Sequence, residues 1–333
     1  MKGACAGLMA FVALIGAAPA ARAYLKLGRE LNGRTVGLRW TSMPVRYFVT
    51  NRDVPGVTAN QLQAAAQQGF AAWARVPGVA LSAQFVGFTG AEPFVDDGIN
   101  VIGFRERPDL ERTLGATTFQ FDDVTGQLIE SDIFLNSTFD WSVASAGSAG
   151  RFNVQSLVTH EIGHLHGLGH SALGETELQP TGGRKVDATQ AIMFPIAFPA
   201  GNIDDRNPKP DDAAGLGEIY ASAAFNRQFG QINGRVTLDG RGLFGAHVTA
   251  FNSVTGALIG GFSLDSQGNF SIGGLAAGVY VVRAEPLDDA DISSFFDPDT
   301  SVNISFKPAF SSRLVAVPAG GAAVPIEIKV VAK

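Results

Sequence analysis

The chain has 333 residues, of which 46% are hydrophobic and 17% charged, and a formal net charge of −6. That length accommodates two domains with a substantial core. The acidic balance, with no Lys/Arg cluster, argues against nucleic acid as a partner, and no segment after the N-terminus is long and apolar enough to span a membrane.

Residues 1–23 read as a secretory signal peptide. Lys2 gives a positive start, Leu8 to Ala18 is an apolar stretch too short to cross a bilayer, and Ala21-Arg22-Ala23 is a small-x-small cleavage site. Cleavage at Ala23 would start the mature chain at Tyr24, remove Lys2 and Arg22, and take the charge from −6 to −8. The only cysteine, Cys5, leaves with the signal, so the mature protein would hold neither disulfide nor thiol. The expected destination is outside the cytoplasm, extracellular or periplasmic.

Trp40 to Thr50 reads as a first strand, alternating at Val45, Tyr47 and Val49. Thr58 and Gln61 predict a capping box. The helix it opens carries Leu62, Ala66, Phe70 and Trp73 on one face and closes at Pro77-Gly78. Strands are expected near 81–85, 99–104, 116–121 and 129–135, followed by a small-residue loop over 145–150. A helix from near Asn153 to Gly167 would bury Val158, Ile162 and Leu165 against the sheet. A loop with Pro180 and Gly182-Gly183 follows, and Asp211-Asp212 after Pro210 starts a last helix to about Ala224.

From Gly230 the texture changes to period-two alternation punctuated by glycine, as in G-R-V-T-L-D-G-R-G-L-F-G-A-H-V-T-A-F-N over residues 234–252. Such even spacing predicts a small all-β sandwich. Phe225 to Gln231 is the expected hinge. The domain division is 24–226 and 229–333.

The helix over 153–167 carries the chemistry. Residues His160 to His170 read H-E-I-G-H-L-H-G-L-G-H. Positions i and i+4 share a helix face, so His160 and His164 aim at one point. Glu161 stands about 100° around the helix, within reach of a water at that point. Gly167 tolerates the left-handed conformation that ends helices, which lets the chain return His170 to the same place. Three imidazoles with an open position describe a catalytic zinc site. Its zinc would acidify a bound water, with Glu161 as the general base. By contrast His166, about 200° from His164, faces away from the metal and reads as a surface group or an outer support. His247 reads as structural. Asp96, Asp97, Asp122, Asp123, Glu130 and Asp132 flank glycine turns, and oxygen-rich loops of that kind suit calcium.

At Leu157–Ser171 the chain resembles the metzincin metalloproteases and, through the serine directly after His170, the matrixins among them. Ala191-Ile192-Met193-Phe194-Pro195 resembles the family's methionine turn, with Met193 as the apolar floor below the zinc. Leu114–Asp122 sits where the family keeps its substrate-pairing edge strand. The resemblance covers residues 38–222. It implies an α+β metzincin domain and endopeptidase activity on protein or peptide substrates. Site residues follow from it: His160, His164 and His170 on zinc, Glu161 catalytic, and Gly167 and Met193 in support. Phe194, Ile196 and Phe198 are expected to line the pocket beyond the scissile bond.

Departures from the family are also plain. The mature chain offers no cysteine for a thiolate latch, no histidines upstream for a second, structural zinc, and no tyrosine soon after Met193. The C-terminal part resembles the prealbumin-like regulatory domain of carboxypeptidases. A monomer is expected. The competing reading is a secreted adhesion or binding protein on a silent metalloprotease fold; a zinc hydrolase of a non-peptide amide fits the metal motif but not the edge strand.

Overall fold

The computed structural model describes residues 26–31, 34–180 and 182–333. The signal-peptide expectation for residues 1–23 lies outside the described residues. Among the described residues, no helix is long and apolar enough to cross a membrane.

The N-terminal half is built on a five-stranded sheet. Its strands are β1 (Val45–Thr50), β2 (Ala83–Thr89), β3 (Asn100–Arg105), β4 (Gly115–Thr117) and β5 (Ile133–Asn136), in the order β2-β1-β3-β5-β4. All neighbours pair parallel except β4, which runs antiparallel on β5 and forms an edge. The expected strand over 116–121 is therefore two short pieces, and so is the one over 129–135. Residues Gln120–Phe121 and Leu128–Glu130 leave the main sheet and pair with each other.

Two helices cover one face of this sheet. Helix α1 (Ala59–Ala74) begins at Thr58 with both bonds of the capping box in place. It buries Leu62, Ala66, Phe70 and Trp73. Helix α2 (Val154–Leu165) is capped by the Asn153 side chain, which accepts from the Ser156 amide. It buries Val158, Ile162 and Leu165 completely. The indole of Trp73 ties the helices together by donating to the Thr159 carbonyl at 2.8 Å.

The stretch after α2 differs from the expected loop. It forms a hairpin of β6 (Gly174–Leu178) and β7 (Arg184–Thr189). The last helix also stops early. Helix α3 (Pro210–Ile219) ends before Tyr220, and α4 (Ala223–Gln228) starts anew at a Ser222 cap.

The C-terminal part is all β. One sheet is centred on β8 (Phe229–Leu238), which pairs antiparallel with β11 (Asn269–Ala276) and parallel with β13 (Ile326–Ala332). The other is β9 (His247–Asn252), β10 (Leu258–Phe262) and β12 (Gly278–Glu285), all antiparallel. With short added strands each sheet has five. Their alternating residues, Ile232, Val236, Ile272 and Ile328 against Val248, Ala250, Tyr280 and Val282, share one apolar interior. The whole is α+β, as expected.

The stretch read as a hinge, 225–231, is packed in this structure. Helix α4 passes directly into β8, and Phe225 is buried where Gly78 and Gly217 leave space for its ring. Apolar side chains of both halves join a single cluster. A hinge was inferred from a change of texture, but a texture change marks a new element type and does not by itself expose the joint.

Candidate active site

Helix α2 brings His160, His164 and Glu161 to the sheet, and the chain turns at Gly167 as anticipated. Gly167 has φ +91°, and a side chain there would strike the Leu38 carbonyl. The turn returns His170. One ligand atom from each of His160, His164 and His170 lies within 4.8 Å of the others, and they are the only such group of metal-ligating side chains among the described residues.

The tautomers follow from the backbone. His160 Nδ1 lies 2.7 Å from the Ile192 carbonyl, His164 Nδ1 2.8 Å from the Leu168 carbonyl, and His170 Nδ1 2.9 Å from the Ser294 carbonyl. A carbonyl only accepts, so each Nδ1 carries the proton and each Nε2 presents a lone pair. His164 Nε2 and His170 Nε2 then face each other at 3.2 Å. Two acceptors at that distance repel unless a cation lies between them. Tetrahedral zinc with Zn–N bonds of about 2.0–2.1 Å sets its ligand nitrogens roughly 3.3 Å apart, so the rings fit the ion. Burial keeps all three neutral, as a metal requires: it pulls His160 down to about 3 and His170 to about 4, and His164 well below the ordinary 6.5.

Glu161 is fully buried. Its Oε2 accepts from the Thr117 hydroxyl at 2.6 Å, while Oε1 has no hydrogen-bond partner among the described residues. Burial pushes this carboxyl up to about 8, against the lowering effect of the Thr117 bond. An unpaired, desolvated carboxylate oxygen beside three lone pairs is the second sign that a cation belongs here. Thr117 stands on edge strand β4 and was not anticipated. Its only sequence signal was a hydroxyl within the edge-strand segment.

Met193 is completely buried, and its sulfur packs where Gly163 has no side chain; a methyl there would collide with it. The methionine turn is held from behind by Asp212. That buried carboxylate accepts from the amides of Ile192 at 2.9 Å, Met193 at 3.1 Å and Lys209 at 2.8 Å. The peptide held this way presents the Ile192 carbonyl to His160. Asp211, its neighbour, accepts from the Ser171 hydroxyl at 2.6 Å and from the Gly260 amide of β10 at 2.8 Å. Burial pushes Asp211 up to about 8 and Asp212 to about 6, with Asp212 also raising Asp211 and backbone donors lowering Asp212. Three amide donors make Asp212 the charged member of the pair. Sequence reading saw both only as helix-starting acids.

Three expectations need correction. His166 is not at the surface: it is buried between Phe70 and Tyr220, ring centroids 5.9 and 6.1 Å away. It does stand outside the metal group, as its helical position required. Phe194 and Ile196 do not line the pocket beyond the scissile bond. They pack with Phe262, Leu287, Phe295 and Phe296 of the C-terminal part. Phe198 does line a small cavity beside His160, of about 40 Å³, with Leu114, Leu157 and Ala197.

Three of the acids considered for calcium accept hydrogen bonds from backbone amides of their own loops or neighbouring ones. Asp132 accepts from the amides of Phe94 and Val101, Glu130 from Gly98, and Asp122 from Val124 and Thr125. These bonds orient them as loop-closing groups, with Asp132 and Glu130 buried and Asp122 exposed. His247 is buried on β9 against Phe262, 3.3 Å from Glu285, in keeping with a structural role.

Comparison with known proteins adds one finding. The Matrixin family model matches residues 39–221, more than half of the chain. The fold and the histidine cluster define a zinc metallopeptidase of the metzincin class. Within that class the chain belongs to the matrixin family. A search of curated proteins found no match.

Proposed function

We propose that this protein is an exported endopeptidase in which His160, His164 and His170 hold one zinc ion and Glu161 moves the proton. The observation that supports this most is the backbone anchoring of all three Nδ1 atoms, which turns three Nε2 lone pairs toward one point. When bound, zinc supplies Lewis-acid polarisation of the scissile carbonyl and acidifies a water at neutral pH.

The chain's own residues do the rest. Thr117 fixes Glu161 Oε2, so Oε1 is the oxygen that takes the proton of the attacking water and later passes it to the leaving amine nitrogen. No tyrosine stands near Met193 in sequence, so protonated Glu161 is the protein group that assists the developing oxyanion. An extended substrate adds as a strand along the edge of β4. The cavity beside His160, walled by Leu114, Leu157, Ala197 and Phe198, takes a small aliphatic side chain.

We also propose that residues 1–23 are a signal peptide and that residues 24–226 and 229–333 are the catalytic and β-sandwich domains. A silent fold has no chemical use for a buried glutamate held in register by Thr117, and that weighs against the adhesion reading. A casein zymogram with and without 1,10-phenanthroline, run beside Glu161→Gln, tests the proposal. Clearing by the parent, lost in both controls, is expected. Clearing by the parent that persists in the variant at the parental rate defeats it.

A further inference from the structure

Two of the three histidines proposed to hold zinc are backed from within the matrixin region, His160 by Ile192 and His164 by Leu168. The third is not. His170 Nδ1 donates to the carbonyl oxygen of Ser294, 124 residues away in the C-terminal part, at 2.9 Å. Ser294 ends a single 3-10 turn, Ile292–Ser294, inserted after β12. Its amide bonds the Asp291 carbonyl at 2.8 Å, and the amides of Phe295 and Phe296 both bond the Ile292 carbonyl at 3.0 Å. The carbonyl that meets His170 is therefore set in a closed turn.

The turn is fastened on both sides. Before it, Asp289 grips the hairpin of the matrixin region: its carboxylate accepts from the Thr176 amide at 2.9 Å and its carbonyl from the Thr176 hydroxyl at 2.7 Å. After it, Phe295 and Phe296 pack on Phe262, with centroids 5.7 and 5.3 Å apart, in the cluster that contains Phe194 and Ile196. This explains why the two residues expected to face substrate turn away from it: they form the seat of the turn.

We infer that Ser294 is a positioning residue for zinc, so that the C-terminal β region completes the metal site. The inference rests on the proposed role of His170 as a ligand. Its physical content is simple. A metal-binding imidazole needs an acceptor on its other nitrogen to fix its tautomer and ring angle. His170 sits on a loop outside any helix or strand and draws that acceptor from the other half of the chain.

The test uses the full-length chain, with zinc affinity measured by competition against a chromogenic chelator and ligand geometry read from the visible spectrum of the cobalt(II)-substituted protein. Phe295→Ala with Phe296→Ala loosens the seat of the turn, and zinc binding is expected to weaken roughly 10–100-fold with a shifted cobalt spectrum. Thr176→Val releases the Asp289 carbonyl without touching the aromatic seat. It should shift both readouts the same way by less, and it decides the matter if the double variant does not fold. Parental zinc affinity and cobalt spectrum in a folded variant overturn the inference, as does a rise in peptidase kcat/KM, which would make the turn a cover over the cleft. His170→Ala separates the two levels. If it leaves zinc affinity unchanged, the metal-site reading itself fails; if it abolishes binding while the turn variants bind like the parent, only the role of Ser294 fails.

Discussion

The matrixin region and the C-terminal β region solve the same packing problem in different ways, and only one of them carries reactive groups. In the first, a mixed sheet is covered by helices, and α2 offers a rigid face on which residues four apart meet. In the second, two sheets cover each other, which leaves no helix face for ligands. Yet the second reaches the first on the loop that follows α2. The histidines on α2 are backed locally, whereas the histidine on the loop, and the Asp211 that holds Ser171 after it, are met by Ser294 and Gly260 of the β region. Rigidity that the local backbone does not provide comes from across the domain junction.

The sharpest way to probe that division is Glu161→Gln. It keeps the shape of the site but removes the proton acceptor, so kcat for a peptide substrate should fall by about 10²–10⁴-fold, with one zinc per chain retained by metal analysis. Next is Asp212→Ala, which strands the buried amides of Ile192 and Met193 and the half-buried amide of Lys209. A loss of roughly 3–5 kcal/mol in denaturant unfolding is expected. The adjacent Asp211→Asn should cost no more than about 1 kcal/mol at neutral pH, because burial already favours the uncharged acid there. If the two substitutions cost the same, the methionine turn is not what Asp212 supports.

A pH series on the metal-free protein gives a smaller and graded effect. His160, His164, His166 and His170 are all held below their ordinary 6.5 by burial. Below pH 6.5 the unfolded chain therefore binds protons at these four rings that the folded chain does not, so the imidazoles' contribution to stability falls with pH, while Glu161, Asp211 and Asp212, raised by burial, oppose that fall. Histidine ring NMR of the metal-free protein should show all four imidazoles still unprotonated at pH 5.5. Protonation of these rings near pH 6.5 contradicts neutral buried imidazoles. The smallest effect belongs to His166→Phe. Nδ1 of His166 is buried with no hydrogen-bond partner among the described residues, so an apolar ring between Phe70 and Tyr220 should change stability by about 1 kcal/mol or less, in either direction, and leave zinc affinity as it was.

What was legible in the sequence was local. The capping box at Thr58, the apolar stripes of α1 and α2, the glycine stop at 167 and the three-histidine spacing all act over a few residues, where helix geometry alone relates number to direction. The edge strand was placed correctly in kind but too long, because pairing length is set by the neighbouring strand and not by the alternation of the segment itself. The burial of Phe225 and of His166 was illegible for one reason: exposure is a property of what packs against a residue.

The sequence by itself determined the family and the groups proposed for its chemistry, since the three histidines and the glutamate lie within eleven residues of one helix and its turn. Tertiary structure alone decided how that chemistry is held in place. Thr117 against Glu161, Asp212 behind the methionine turn and Ser294 behind His170 join segments separated by 44, about 20 and 124 residues. Hydrogen bonds of that kind depend on distance in space, and sequence separation carries no trace of them until the two halves of the chain have folded against each other.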